Sequence, residues 1–524
     1  MRSTRPHLPP MARWEFPIPV DRASDVPVYV QIARSLADDV RRGRLRPGDR
    51  LPGSRALALG LGVNRNTVVA AYRELEAEGW IMSSEASGTF VSSGLPGDVP
   101  RAFGVLRREV PPRSGFDLAP PPEHALGPVF RKGNLDFGSG TPDVRLLPVT
   151  ALARAYRRAM DANGRRVLDY QTCGRSALEL EDGSYGSRDL RRTLAGMLAA
   201  TRGLAASWEN VIVTRGSQMG LVLAARALLG PGDVVAVEEM GSRPVHAALR
   251  QSGAVLAPVA VDAEGVDVEA IRELAEHEPR LKAVYITPHH QCPTTVTLGQ
   301  GRRLALLELA RRRRFAILED DYDHEFHWES QPVLPMASVD TAGVVVYVGT
   351  LSKILAPGLR IGYVVAPRPL VDRLAVLRQI ADLQGDLIGE VAIADLLEGG
   401  EVARHVRRIR RITRDRRDLL TTALRKEIGA ALSFDTPTGG MAIWARVAED
   451  LDVERWGALA IEEGTSFRTA RFYTVDGSAL PFLRLGFSGL DEPELLEAVR
   501  RLARARRRLA SAPRYEAPLA AAGR

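Results

Sequence analysis

The chain has 524 residues, 45% apolar and 26% charged, an ordinary globular make-up and too long for one hydrophobic core. Its two cysteines, Cys173 and Cys292, exclude a disulfide framework or a Cys-rich zinc site and suit a reducing compartment. The net charge of +7 is diluted over a large molecule, so any nucleic-acid partner must be argued from motif. No run approaches the ~20 apolar residues of a membrane helix. Met1–Pro19 lacks the apolar stretch of a signal peptide, so a cytoplasmic protein with no membrane partner is expected.

Composition divides the chain. Residues 1–26 carry Pro and Arg and read as a disordered N-terminal segment. Residues 27–93 read as a compact helical unit closed by a short hairpin. Residues 94–133, with Pro96, Pro100, Pro111, Pro112 and Pro120 to Pro122, read as a linker. Residues 134–503 alternate strand-like and helical runs, and 504–524, rich in Ala and Arg, read as a disordered tail.

Within the first unit, Val30, Ala33, Leu36, Ala37 and Val40 form a helical stripe over Val28–Arg42. Ser54 is expected to cap a second helix, Arg55–Leu59. Gly60 and Gly62 supply a turn, and Asn64 caps a third helix running to about Glu78. Two helices joined by a short Gly-containing turn make a helix-turn-helix, whose second helix enters the major groove by its first turn. That turn carries Arg65, Asn66 and Thr67, suited to guanine, adenine and phosphate. The runs Trp80-Ile81-Met82 and Gly88-Thr89-Phe90-Val91 can pair as a wing. The segments Leu45–Pro52, Ser54-Arg55, Val63–Val68 and Gly88–Val91 resemble the GntR-type winged helix-turn-helix, although Gly53 stands where that family usually has serine. The resemblance implies that Arg55, Arg65 and Gly88 approach double-stranded operator DNA.

In the large segment, Val211–Thr214, Val234–Glu238, Ala283–Thr287, Ala316–Glu319 and Val344–Val348 are short apolar runs of the kind buried on both faces of a parallel sheet. Helical stretches such as Gln218–Leu229 and Arg302–Arg313 lie between them, which gives an α/β unit with its site at the carboxyl ends of the strands. Lys353 follows one apolar run and Arg360 precedes another, with hydroxyls at Thr350 and Ser352. Asp320 and Tyr322 follow the Phe315–Leu318 run, and Thr214–Gln218 turns from strand to helix where backbone N–H groups hold anions. This is the set a pyridoxal phosphate site needs: an amine, an acid for the ring nitrogen, a donor for the phenolic oxygen and a phosphate cup. The crowding of Glu319, Asp320, Asp321, Asp323, His324, Glu325 and His327 raises a metal as a rival. The run lacks a recognised ligand spacing, so no metal is expected.

Tyr185-Gly186, Gly216-Ser217-Gln218, Thr287–Thr294, Glu319–Asp323 and Gly349–Lys353 resemble fold-type I aminotransferases over about 134–503, and the fusion resembles the MocR/GabR subfamily of GntR-type regulators. The implied fold is a small α+β winged helix-turn-helix followed by a large α/β fold-type I aminotransferase-like domain with a mostly parallel sheet. The resemblance makes Lys353 the Schiff-base lysine, Asp320 the nitrogen partner and Tyr322 the phenolate donor. It makes Ser217, Gln218, Thr350, Ser352 and Arg360 phosphate ligands, with Tyr185 reaching the phosphate of the other subunit of a homodimer. Arg484 then grips an effector carboxylate. The sequence departs from the family at Ser242, where a ring usually stacks on the cofactor, and at Arg215 and Thr295. Residues Gln171–Ser184 read as an insertion. The implied function is a DNA-binding regulator that senses pyridoxal phosphate or an amine or amino-acid effector. A turnover aminotransferase carrying a DNA-binding domain, and a regulator that has lost the cofactor, stand beside it.

Overall fold

The computed structural model describes residues 18–84, 88–96, 115–118, 133–138, 140–170, 183–328 and 333–511. Two compact units divide near Pro121, inside the expected linker, most of which lies outside the described residues. Cys173 and most of the expected insertion lie outside them too.

In the first unit, α1 (Val28–Arg41) buries Ile32, Ala33, Leu36, Ala37 and Val40 against Val68, Ala71 and Leu75 of α3 (Arg65–Ala77). The apolar core reaches back to Ile18, so residues 18–26, expected within a disordered segment over 1–26, are folded chain, and residues 1–17 lie outside the described residues. The second helix, α2 (Ser54–Leu61), starts one residue earlier than expected, with Gly53 in the capping position. Ser54 therefore lies inside the helix, where its hydroxyl accepts from Arg65 Nε at 3.3 Å. Gly62 makes the turn in the left-handed conformation, while Gly60 belongs to α2. Asn64 caps α3 as expected, its side chain accepting from Asn66 N at 2.9 Å. The Tyr72 hydroxyl donates to Pro52 O at 2.7 Å and ties α3 to the segment that leads into α2. The wing pairs β1 (Ile81–Ser84) with β2 (Gly88–Val91), and β2 also bonds the Gly48–Leu51 segment, which makes the wing broader than the hairpin alone.

Among the described residues of the second unit, the main sheet has seven strands. In spatial order they are β4 (Val211–Thr214), β12 (Gly362–Val365), β11 (Val345–Thr350), β10 (Ala316–Asp321), β9 (Leu281–Ile286), β5 (Val234–Glu238) and β6 (Val255–Val259). Pairing is parallel except at β12, which runs against both neighbours. Both faces are apolar and covered, which explains why the strands read as continuous Val/Ile runs. Helices α4 (Val149–Asn163), α5 (Arg188–Arg202) and α11 (Leu387–Glu398) contribute to one covering layer, and α6 (Gly216–Leu228), α7 (Arg243–Gln251) and α10 (Arg368–Asp382) to the other. The small antiparallel pair β7 (Val261–Asp262) and β8 (Gly265–Val266), with helices α8 (Val268–His277) and α9 (Gln300–Arg313), lies along the chain between α7 and α10.

A smaller antiparallel sheet, β13 (Leu432–Ser433), β14 (Ala442–Val447), β17 (Phe482–Gly486) and β16 (Arg468–Thr469), stacks on α12 (Glu401–Glu427), α13 (Val453–Glu462) and α14 (Glu492–Ser511) around Trp456 and Phe487. A two-stranded parallel pair, β3 (Leu135–Asp136) with β15 (Thr465–Ser466), joins it to the start of the unit. Helix α14 continues through Ser511, so residues 504–511, expected within a disordered tail, belong to a helix, and those after Ser511 lie outside the described residues. Ala505 and Leu509 are buried there, and the run of arginines hid that apolar side. Among the described residues no helix is long and apolar enough to cross a membrane.

Candidate functional site

Strand register gathers the site at one edge of the main sheet. Thr214, Gly362 and Thr350 stand side by side across β4, β12 and β11, and Asp320 lies opposite Val348 one strand further on. This edge is the carboxyl end of the parallel strands, where such sheets bind ligands. Because β12 is reversed, it begins at this edge and brings Arg360 back to it.

Lys353 sits in the turn after β11, half-buried between the buried Leu351 and Ile354. Its amine donates to Gly140 O at 2.8 Å. Burial lowers its pKa, and the Arg484 guanidinium lowers it further, against the opposing pull of Asp323. The amine is thereby biased toward the neutral, nucleophilic form. A side chain at position 140 would place its Cβ 2.9 Å from Arg484 Nη1, so the glycine admits the arginine beside the lysine.

Asp320, at the end of β10, accepts the Tyr285 hydroxyl on Oδ2 at 3.0 Å. Its Oδ1 is buried and has no partner among the described residues. Burial pushes its pKa up to about 7, the Tyr285 bond opposing. A buried acceptor left open beside an amine fits the protonated ring nitrogen of pyridoxal phosphate. The Tyr322 hydroxyl donates to His290 O at 3.0 Å, and burial holds its pKa well above the usual value, so it remains a donor.

The expected phosphate side is built from α6. Gly216 opens that helix at φ +77°, a conformation L side chains rarely adopt. A Cβ there would meet Arg360 Nη2 at 2.8 Å. Arg360 is exposed, itself left-handed at φ +54°, and donates to Arg215 O at 2.6 Å. Ser217 is half-buried in the first turn. The Gln218 side chain donates to Pro244 O at 2.8 Å, so its amide group is engaged in tying α6 to α7. Thr350 Oγ1 accepts Ser352 N at 3.1 Å and donates to Ile361 O at 3.3 Å, bracing the lysine turn. Tyr185 donates to Asp372 Oδ1 at 2.8 Å within its own chain.

Arg484, on β17, is buried with Nε lacking a partner among the described residues. Burial works against its charge, but Tyr473 and Cys292 outweigh it and the guanidinium stays ionised. Lys353, Asp320, Tyr322 and Arg484 are thus brought together, with Ser217, Thr350, Ser352 and Arg360 along the neighbouring strand ends. Sequence reading missed the Tyr285 bond to Asp320, the Gly140 carbonyl and the buried Glu238. Glu238 accepts Thr287 Oγ1 at 2.7 Å and Gln291 Nε2 at 3.2 Å. Each joins positions far apart in the chain. Only Thr287–Gln291, within a quoted motif, carried a local signal. Thr295 adopts φ +65°, the geometry for which a glycine was expected.

In the first unit Arg55, Arg65 and Asn66 are exposed and Thr67 is half-buried. Gly88 lies against the Arg50 guanidinium, 3.2 Å from its Nε to an added Cβ, and places Arg50 on the wing, a residue the sequence reading did not single out.

Residues 135–502 match the model of aminotransferase class I and II, and residues 28–91 that of the bacterial regulatory proteins of the gntR family. The chain is 30% identical to a probable rhizopine catabolism regulatory protein, MocR, of Rhizobium meliloti, over 92% of this chain and 94% of that one. It is 33% identical to the HTH-type transcriptional regulator TauR of Rhodobacter capsulatus, over 91% and 96%. Its fold matches the α-aminoadipate aminotransferase LysN of Thermus thermophilus, in complex with N-(5'-phosphopyridoxyl)-L-leucine, with a TM-score of 0.65 and 28% identity over 72% of this chain and 93% of that one. A gntR-type DNA-binding unit fused to an aminotransferase class I and II domain, matched nearly end to end by such regulators, places this chain in the MocR-type subfamily of GntR transcriptional regulators.

Proposed function

We propose that the large unit binds pyridoxal 5'-phosphate through Lys353 and uses it to sense an amine or amino-acid effector, which resets how a homodimer engages its operator in the cytoplasm. The observation that carries this reading is the open, buried Asp320 Oδ1 on the same strand edge as the half-buried Lys353 amine. Pyridoxal phosphate, when bound, supplies a carbonyl that condenses with amines. Asp320 holds the ring nitrogen protonated, Tyr322 presents a hydroxyl, and the α6 N-terminus with Ser217, Thr350, Ser352 and Arg360 receives the phosphate. Arg484 offers a buried cation to an effector carboxylate. Tyr185 reaches the phosphate of the other subunit once it leaves Asp372. Arg55, Arg65, Asn66 and Thr67, with the wing at Gly88, contact DNA. The effector acts by binding two arrangements of the dimer with different affinity, without which it would shift nothing.

The test is the visible absorption of the purified protein with added pyridoxal phosphate, beside Lys353→Ala. A band in the native chain that the variant lacks is expected; no band in either removes the cofactor from the reading and leaves a regulator with some other ligand. The retained Lys353, Asp320 and Arg484 also favour a working aminotransferase. Sustained product formation from amino donors and 2-oxoacids would establish that reading over the sensor.

A further inference from the structure

We propose that His289, Asp321 and His324 form a binding site for one zinc-like divalent cation, separate from the cofactor pocket. Each offers a ligand atom, and these atoms lie within 4.8 Å of one another. All three residues are at most 5% exposed. His289 Nδ1, both ring nitrogens of His324 and Asp321 Oδ1 lack hydrogen-bond partners among the described residues. A neutral imidazole always carries one N–H, and leaving such a group buried and unpaired is unfavourable. His324 Nδ1 does lie 3.0 Å from Asp321 Oδ2, yet without the alignment of an N–H···O bond. That contact therefore leaves both ring nitrogens of His324 and Asp321 Oδ1 without a hydrogen bond among the described residues. Tetrahedral zinc, with Zn–N near 2.0–2.1 Å, sets its ligands roughly 3.3 Å apart, and a shared ion would draw the three ligand atoms, within 4.8 Å of one another, to that spacing.

The surroundings match a metal centre further. Tyr347 donates to Asp321 Oδ2 at 2.6 Å and so fixes the carboxylate from behind while Oδ1 stays open. His290, whose ring centroid lies 4.7 Å from that of His289, is engaged with Asp323, and His327 is a further imidazole at 6.3 Å from His289 and 6.1 Å from His324. The His289 and His324 rings lie 4.5 Å apart. Two imidazoles and a carboxylate select a borderline cation such as zinc over calcium or magnesium, which prefer all-oxygen sets. Asp320 and Asp321 are successive residues of β10, so their side chains leave opposite faces of the sheet. The cation would therefore sit behind the Asp320 pocket and join the loop after β9 to the loop after β10. The sequence reading set a metal aside for want of a recognised spacing in the Glu319–His327 run. The missing ligand, His289, comes from the loop after β9.

The test uses full-length, untagged protein stripped with a chelator and titrated with Co²⁺, then Zn²⁺, with and without pyridoxal phosphate. One Co²⁺ per chain with the visible bands of a low-coordinate ion, displaced by Zn²⁺, is expected. His289→Ser and His324→Ser should each weaken binding by at least about 100-fold. Retained far-ultraviolet circular dichroism shows that the variants fold. X-ray absorption at the zinc edge of the unmutated protein reads imidazole scattering directly, independent of any variant. Absence of Co²⁺ binding, full affinity in both variants, or an oxygen-only shell would each overturn the site.

Discussion

The two units keep their chemistry in opposite places. In the DNA-reading unit, Arg55, Arg65 and Asn66 stand exposed above a small apolar core that does not depend on them. In the aminotransferase-like unit, Asp320 and Arg484 are drawn inside and Lys353 half inside, and each is held by, or left open toward, other buried groups. Exposed groups can be exchanged at little structural cost. Buried ones serve function and folding together, so a change in one is felt in both.

The largest test of that contrast is Arg202, fully buried beneath the site. It donates to Tyr347 at 2.7 Å, to Tyr363 and to Glu325 at 2.5 Å. Arg202→Ala strands these partners and should cost the large unit about 3–5 kcal/mol. Calorimetry should show the large unit's transition falling while the DNA-binding unit's stays. A loss below about 1 kcal/mol, within the range of an exposed pair, would break the comparison.

Next in size is a pH effect at Glu238, whose carboxyl is pushed up to about 7 by burial, its bonds from Thr287 and Gln291 opposing. A carboxyl with a folded pKa above its unfolded value binds more protons when folded, so its contribution is intact below about pH 4.5 and is lost as pH rises to about 7. Glu238→Gln should remove that loss. Denaturant midpoints of the cofactor-free proteins should diverge in favour of the variant between those limits, by at most about 3 kcal/mol. Parallel curves would show that burial does not govern this charge.

The smallest expected effect on folding belongs to Arg65→Ala in the exposed reading helix. Stability should change by no more than about 0.5 kcal/mol, while operator affinity falls by about 1–3 kcal/mol if the side chain reads a base. An equal loss on every sequence, with the salt slope reduced by about one, would reassign Arg65 to phosphate.

The same contrast explains what could be read from the sequence. The Asn64 cap, the α1 stripe and the Val-rich strands are local patterns, and each appears where the pattern placed it; Lys353 and Asp320 follow the strands they were read after. The start of α2 was misplaced by one residue because glycine and serine both suit the cap. The helix past Ala503 was missed because arginines outnumber the two apolar residues that dock it. Tyr285 on Asp320, Gly140 on Lys353 and His289 beside His324 join elements tens to hundreds of residues apart, and no local spacing encodes them.

The Gly140 carbonyl has one more consequence. Three residues later the Asp143 carboxylate is gripped by Arg145 at 2.7 Å and by Arg416 of α12 at 3.0 Å, and Arg145 reaches Glu494 of α14 at 2.8 Å. The strand edge and the two long helices are therefore sewn together along one short stretch of chain, and the Lys353 amine is the stitch nearest the pocket. A ligand that occupied that amine would free the Gly140 carbonyl, three residues from the carboxylate that ties this stretch to α12 and, through Arg145, to α14.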